Sequence, residues 1–208
     1  MKYLHFFWDF DGTLYDTYGR ISRATQKALR DLGREVDIDT VYRAVKRSLR
    51  LAWKELASPL GVEEERFNAI YRMHAEEEGP ESIRPYLGVR EMLEAVVARG
   101  GRNYLYTHRN MTALDSLAHD GLKALFTDWV TRENDFPMKP APDALNYLAR
   151  KHGLDKEKCI MLGDRDIDLD AGKNAGMACA LFDPEGFYPD YDTPYRFADM
   201  DVLRRALT

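Results

Sequence analysis

Cysteine is almost missing from this chain: Cys159 and Cys179 are the only two in 208 residues. Each sits inside an apolar run, so they supply neither a disulfide framework nor the paired spacing of a zinc site. They read as buried free thiols in a reducing compartment. Also lacking is any stretch of ~20 consecutive apolar residues, so no helix is expected to span a membrane. The N-terminal run YLHFFW is too short for the core of a secretion signal and carries no small-residue cleavage site, which points to a cytoplasmic protein. A basic surplus is absent as well. With 30 Lys and Arg against 35 Asp and Glu, the formal charge of −5 argues against general nucleic-acid binding. Neither internal repeats nor low-complexity segments occur.

What is present is ordinary for a globular protein: 45% hydrophobic and 31% charged residues, enough chain for one core or a core with a smaller second domain. Short aromatic or apolar runs at 3–8, 103–107, 128–131, 158–162 and 178–182 read as strands. Helical patterns at 88–99, 111–120, 141–152 and 168–175 separate most of them. Such alternation implies right-handed crossovers and a parallel sheet covered on both faces, a doubly wound, Rossmann-like α/β core. From Tyr15 to Ile83 there is no strand pattern. Three helices are expected there: 17–32, closed by Gly33; 38–57, stopped by Pro59; and 62–78, stopped by Gly79-Pro80. An insert of that length is too long for a loop. It predicts a small α-helical domain over 16–83, with 1–15 and 84–208 forming the core and two hinges where the chain crosses. The segment 183–195 reads as an ordered surface loop before a last helix at 200–207. No long exposed apolar stripe is evident, so a monomer is the default expectation.

In an open parallel sheet, ligands bind beyond the carboxyl ends of the strands. Polar residues collect on the corresponding loops. Asp9 and Asp11 follow the first strand in WDFDGTLYDT, and Thr107 ends the second, followed by His108 and Arg109. Lys139 lies in the loop MKPAPD after the third, and Asp164 and Asp168 lie in GDRDID after the fourth. Four carboxylates in one cleft cannot all stay ionised without a cation. A hard divalent ion meets that need, and Mg²⁺ suits a site of few carboxylates, waters and a substrate phosphate. Lys139 adds a fixed positive charge, the Thr107 hydroxyl can donate to a phosphoryl oxygen, and Gly12 permits a tight turn whose N–H faces an anion. A carboxylate paired with Mg²⁺ and lysine can attack phosphorus and form an aspartyl-phosphate. A second carboxyl two residues on can protonate the leaving oxygen and then deprotonate the attacking water. His108 is a candidate for substrate contact or for a hydrogen-bonding role. Asp166 and Asp170 read as exposed helix-start acids, and Arg165 as a surface or salt-bridging residue. On the helical insert, Arg43, Lys46, Arg47, Arg50 and Lys54 share one face and read as a solvated stripe.

Taken together, these segments resemble the motifs of the haloacid dehalogenase superfamily of phosphohydrolases, over nearly the whole chain. Asp9-Phe10-Asp11-Gly12-Thr13 is similar to the family's DxDGT, and Thr107 to its strand-ending Ser or Thr. Lys139-Pro140-Ala141-Pro142 resembles the family's lysine motif, and Gly163, Asp164 and Asp168 its GDxxxD. The resemblance implies that Asp9 is the nucleophile and Asp11 the general acid/base, with the Asp11 carbonyl, Asp9 and Asp164 on Mg²⁺. Asp168 would ligate the ion or orient its water, and Thr107 and Lys139 would hold the phosphoryl group. The helical insert resembles the C1-type cap of phosphoglycolate phosphatases and β-phosphoglucomutases. The implied activity is hydrolysis of a small phosphorylated metabolite, with no nucleic-acid or membrane partner. A phosphomutase would share the same aspartyl-phosphate, and a non-catalytic phosphometabolite-binding protein would not need the full ionic set. Dehalogenation is disfavoured because that branch lacks the acid that Asp11 supplies.

Overall fold

The run HFFW forms strand β1 (His5–Trp8) in the middle of a six-stranded parallel sheet. In this computed structural model, which describes residues 2–77 and 79–208, the chain divides into two units. One comprises Met1–Tyr15 with Pro85–Thr208, and the other Asp16–Arg84.

The sheet belongs to the first unit. Its other strands are β2 (Arg102–Tyr106), β3 (Phe126–Val130), β4 (Cys159–Gly163), β5 (Ala178–Phe182) and β6 (Arg196–Phe197), in the order β3-β2-β1-β4-β5-β6. Helices α1 (Val89–Ala98), α2 (Thr112–His119), α3 (Asp143–Lys151), α4 (Asp166–Asn174) and α5 (Met200–Leu207) complete it. Phe6, Phe7 and Trp8 are all fully buried, which is why β1 shows no polar alternation: a central parallel strand is covered on both faces. Phe7 stacks on Tyr104 with ring centroids 4.8 Å apart, and Leu145, Leu148 and Met161 pack into the same cluster. Each such buried side chain contributes ~1.5–3 kcal/mol. The polar groups of Trp8 and Asn103 in this dry region are paired. Trp8 Nε1 donates to Asn103 Oδ1 at 2.9 Å, and the Asn103 amide donates to the Leu93 and Leu125 carbonyls, both at 3.1 Å.

The hydrogen-bond ladder runs one residue past the strand ends. Asp9 N–H donates to Leu162 O at 2.9 Å and Thr107 N–H to Val130 O at 3.0 Å, which fixes both side chains at the carboxyl edge of the sheet. Helix α4 begins at Asp166 rather than 168, so Asp168 stands inside its first turn. Strand β6 is not expected from the sequence. It holds only two residues, paired Leu181 with Arg196 and Phe182 with Phe197, too few to show a period. The loop before it is tied down by buried Asp183, which accepts the N–H groups of Phe187 (2.7 Å) and Tyr188 (3.0 Å) and faces Arg196 Nη1 at 3.2 Å.

The second unit holds helices Tyr18–Asp31, Ile38–Arg47, Leu49–Ala52 and Glu64–Glu76 around a core that includes Leu29, Val41, Val45 and Phe67. The single helix expected over 38–57 breaks at Ser48. That residue's backbone is extended (φ −175°, ψ 153°), and its hydroxyl accepts the Leu51 N–H at 3.0 Å, capping a new helix. The chain beyond, Trp53–Ala57, continues as a wider π-helical turn. The basic stripe is corrected at Lys46, which lies in Ile38–Arg47 ahead of the break. Arg43, Arg47, Arg50 and Lys54 are exposed, but Lys46 is buried, with its Nζ 4.3 Å from the centroid of the Tyr18 ring. The third expected helix ends at Glu76, and its predicted last residue, Glu78, lies outside the described residues. Among the described residues no helix is long and apolar enough to cross a membrane.

Candidate active site

Asp9, Asp164 and Asp168 meet at the carboxyl edge of the sheet. All three are buried, and one carboxylate oxygen from each lies within 4.8 Å of the others. Lys139 reaches into the same spot from the loop after β3. Its Nζ is 2.5 Å from Asp9 Oδ1 and 2.7 Å from Asp168 Oδ1, and lies 4.7 Å from the centroid of the Tyr106 ring. One ammonium among three buried carboxylates leaves a surplus of negative charge in a place with little water to screen it. Burial pushes the Asp9 carboxyl up to about 7. Lys139 opposes that rise, and Asp168 and Asp164 add to it. Burial also acts against ionised Asp168 and against ionised Lys139. Their mutual attraction outweighs it, so Asp168 is held below the usual carboxylate range and Lys139 above the usual amine range.

The loop Gly163–Asp168 folds tightly enough to need its glycine. A Cβ on Gly163 would stand 2.1 Å from the Cβ of Asp168, closer than any packing allows. Asp168 Oδ2 accepts the Arg165 N–H at 3.1 Å, which opens α4, and its Oδ1 is paired in charge with Lys139. Asp9 Oδ2 is buried without a hydrogen-bond partner among the described residues. An orphaned buried carboxylate oxygen beside two further carboxylates is the donor set of a hard divalent cation, and these residues fit Mg²⁺.

Asp11 is placed differently from the expectation that put four carboxylates in one cluster. Its side chain turns to Arg109, with Nη2 2.7 Å from Oδ1 and Nε 3.2 and 3.3 Å from the two oxygens. Arg109 is the residue that sequence reasoning did not assign. The loop after β2 folds back because Arg109 N–H donates to Thr107 Oγ1 at 3.0 Å, and the hydroxyl then keeps its own proton to donate.

Two residues expected near the phosphate make contacts within the protein. Gly12 adopts φ 80° as a tight turn requires, but its N–H donates to the Tyr15 carbonyl at 2.8 Å rather than facing an anion. His108 accepts the Lys139 backbone N–H on Nε2 at 2.8 Å, so the ring positions Lys139 instead of meeting a ligand through that nitrogen. Burial, and then the charge of Lys139, lower the His108 pKa to about 3, consistent with the neutral ring that this acceptor role demands. Around the fourth motif, Asp166 is exposed as expected. Asp170 is half-buried and accepts the Tyr191 hydroxyl at 2.5 Å.

The sequence profile of haloacid dehalogenase-like hydrolases matches residues 6–182 of this chain. A 5′-nucleotidase of Pseudomonas aeruginosa is 28% identical over an alignment that covers 100% of this chain and 96% of the nucleotidase. A phosphoglycolate phosphatase of Vibrio vulnificus is 31% identical, covering 84% of this chain and 80% of the phosphatase. Among solved structures, a hydrolase from Streptococcus pneumoniae TIGR4 is 32% identical with a TM-score of 0.69, covering 100% of this chain and 99% of that one.

Proposed function

The chain belongs to the haloacid dehalogenase-like hydrolase family, and from that premise we propose that it is a Mg²⁺-dependent phosphatase hydrolysing a small phosphorylated metabolite through an aspartyl-phosphate on Asp9. One observation carries the reading: Asp9 is buried at a strand end with Oδ1 on Lys139 and Oδ2 unpartnered beside Asp164 and Asp168. Relatives named phosphoglycolate phosphatase and 5′-nucleotidase support a phosphate monoester as substrate.

In the first step a carboxylate oxygen of Asp9 attacks phosphorus while the bond from phosphorus to the leaving oxygen breaks. Asp11, two residues on, gives its proton to that oxygen and the alcohol departs. In the second step a water loses a proton to Asp11 and attacks the same phosphorus. The bond to Asp9 breaks, phosphate leaves, and both carboxyls return to their starting forms. The Thr107 hydroxyl and the Lys139 ammonium hold the phosphoryl oxygens, and His108 fixes Lys139 through its backbone. Asp9, Asp164, the Asp11 carbonyl and Asp168 would hold Mg²⁺, which supplies the positive charge that offsets the clustered carboxylates and the phosphate. The helical unit Asp16–Arg84 takes the part of the family's cap. The test is hydrolysis of p-nitrophenyl phosphate by the purified protein. Turnover is expected with Mg²⁺ and lost in excess EDTA, and full turnover in EDTA would contradict the metal requirement.

A further inference from the structure

The ion pair of Arg109 and Asp11 is built differently from the dry pair of Lys139 and Asp9. Arg109 and Asp11 keep 17% and 22% side-chain exposure, against 0% and 3% for Lys139 and Asp9, so the first pair borders solvent. Three contacts at 2.7, 3.2 and 3.3 Å make it a forked grip on the carboxylate. The guanidinium also lies over Phe10, whose ring centroid is 5.2 Å from Cζ, and its loop is set by the Thr107 hydroxyl. This is a constructed position rather than a loose surface contact.

It also conflicts with the role that the phosphatase reading gives Asp11. To act on a leaving oxygen, Asp11 must present a carboxyl oxygen to it, and Arg109 contacts both of them. The conflict is resolved if the guanidinium moves to another anion when substrate binds. Resting on the phosphatase reading, we propose that Arg109 is a specificity-determining residue that binds an anionic group on the leaving side of the ester and releases Asp11 in doing so. The substrates so selected are phosphate monoesters whose alcohol carries a carboxylate or a second phosphate a few bonds from the ester oxygen. Geometry limits that distance. The general acid touches the ester oxygen, and Arg109 touches the general acid, so its fork covers the atoms just beyond. A planar guanidinium matches either oxyanion in two-point contact. A neutral leaving group offers nothing to draw Arg109 from Asp11, so such esters are disfavoured by the same contact that selects the anionic ones.

Three two-carbon esters test this with one skeleton: 2-phosphoglycolate, ethylene glycol bisphosphate and 2-hydroxyethyl phosphate. In the wild-type protein, kcat/KM for at least one anionic ester should exceed that for the neutral ester by at least about tenfold, the scale of one charge-assisted contact. Which anionic ester leads distinguishes carboxylate from phosphate. Arg109→Gln should lower kcat/KM for the anionic esters and raise kcat for the neutral one, bringing the ratio near unity. A merely structural role would lower all three together. Arg109→Lys, which keeps the charge but loses the fork, should give an intermediate ratio, and it carries the test if the glutamine variant does not fold. Turnover with the same ratio in wild type and variants overturns this proposal and leaves the phosphatase reading standing. Hydrolysis of none of the three esters, or of p-nitrophenyl phosphate, overturns both.

Discussion

The ammonium of Lys139 lies 2.5 Å from Oδ1 of Asp9, and both side chains are withdrawn from solvent. The same ammonium is 2.7 Å from Asp168, with Asp164 completing the acidic group. One cation therefore holds together residues from three separate loops, and its removal has consequences for folding as well as chemistry.

Lys139→Met should abolish phosphate release and also destabilise the fold. Removing one partner of a buried ion pair costs about 3–5 kcal/mol, and each kcal/mol lowers Tm by ~2–4 °C at this size. Added Mg²⁺ should restore part of the loss in Tm, because a bound cation replaces the missing charge. Thermal melts with and without Mg²⁺ measure both effects. An unchanged Tm in EDTA would show that Lys139 does not hold the carboxylates together.

His108 should make stability depend on pH. Its pKa in the folded state lies at about 3, against 6.5 for the free side chain. Between those values the unfolded chain binds a proton that the folded chain refuses, so the stability His108 contributes is present above the upper value and is lost as pH falls toward the lower one. His108→Gln, whose side-chain oxygen can still accept the Lys139 N–H, should flatten that part of the curve. The check is the fall in Tm between neutrality and about pH 5, which should be smaller in the variant than in the wild type. Equal falls would place the acid sensitivity elsewhere.

Gly163→Ala adds a single methyl group where the space is already filled by Asp168. The loop must shift, and with it both Asp164 and Asp168. The expected result is a fold destabilised by ~1–3 kcal/mol together with weakened Mg²⁺ affinity, read by denaturation and by calorimetric titration. Wild-type affinity for the ion would mean that the loop geometry does not set the site.

Much of this arrangement is legible in the order of residues along the chain, because each polar residue follows an apolar run that can only be a buried strand. Asp9 after HFFW, Thr107 after NYLY and Asp164 after CIMLG are brought to one edge by the parallel order of the strands. What stays hidden depends on contacts between loops. The grip of Arg109 on Asp11 requires the loop after β2 to turn back on the Thr107 hydroxyl, which no periodicity signals. His108 finds its partner in a backbone N–H of residue 139, and a backbone group leaves no trace in side-chain identity. Lys46 is misplaced by a helical wheel because its burial comes from the Tyr18 ring on a neighbouring helix, a contact that no periodicity records. Arg196-Phe197 pairs with β5 through only two residues, fewer than any pattern needs.

The central claim is that Asp9 carries the phosphoryl group between the two steps. Rapid acid quenching of the protein during turnover of p-nitrophenyl phosphate, followed by borohydride reduction and peptide mapping, reads this directly, since an acyl phosphate is reduced to homoserine at the residue that bore it. Homoserine is expected at position 9 in the wild type, more of it in Asp11→Asn, where loss of the base slows the attack of water, and none in Asp9→Asn. Continued turnover with no modified residue, or with the modification at any other carboxylate, would contradict the account.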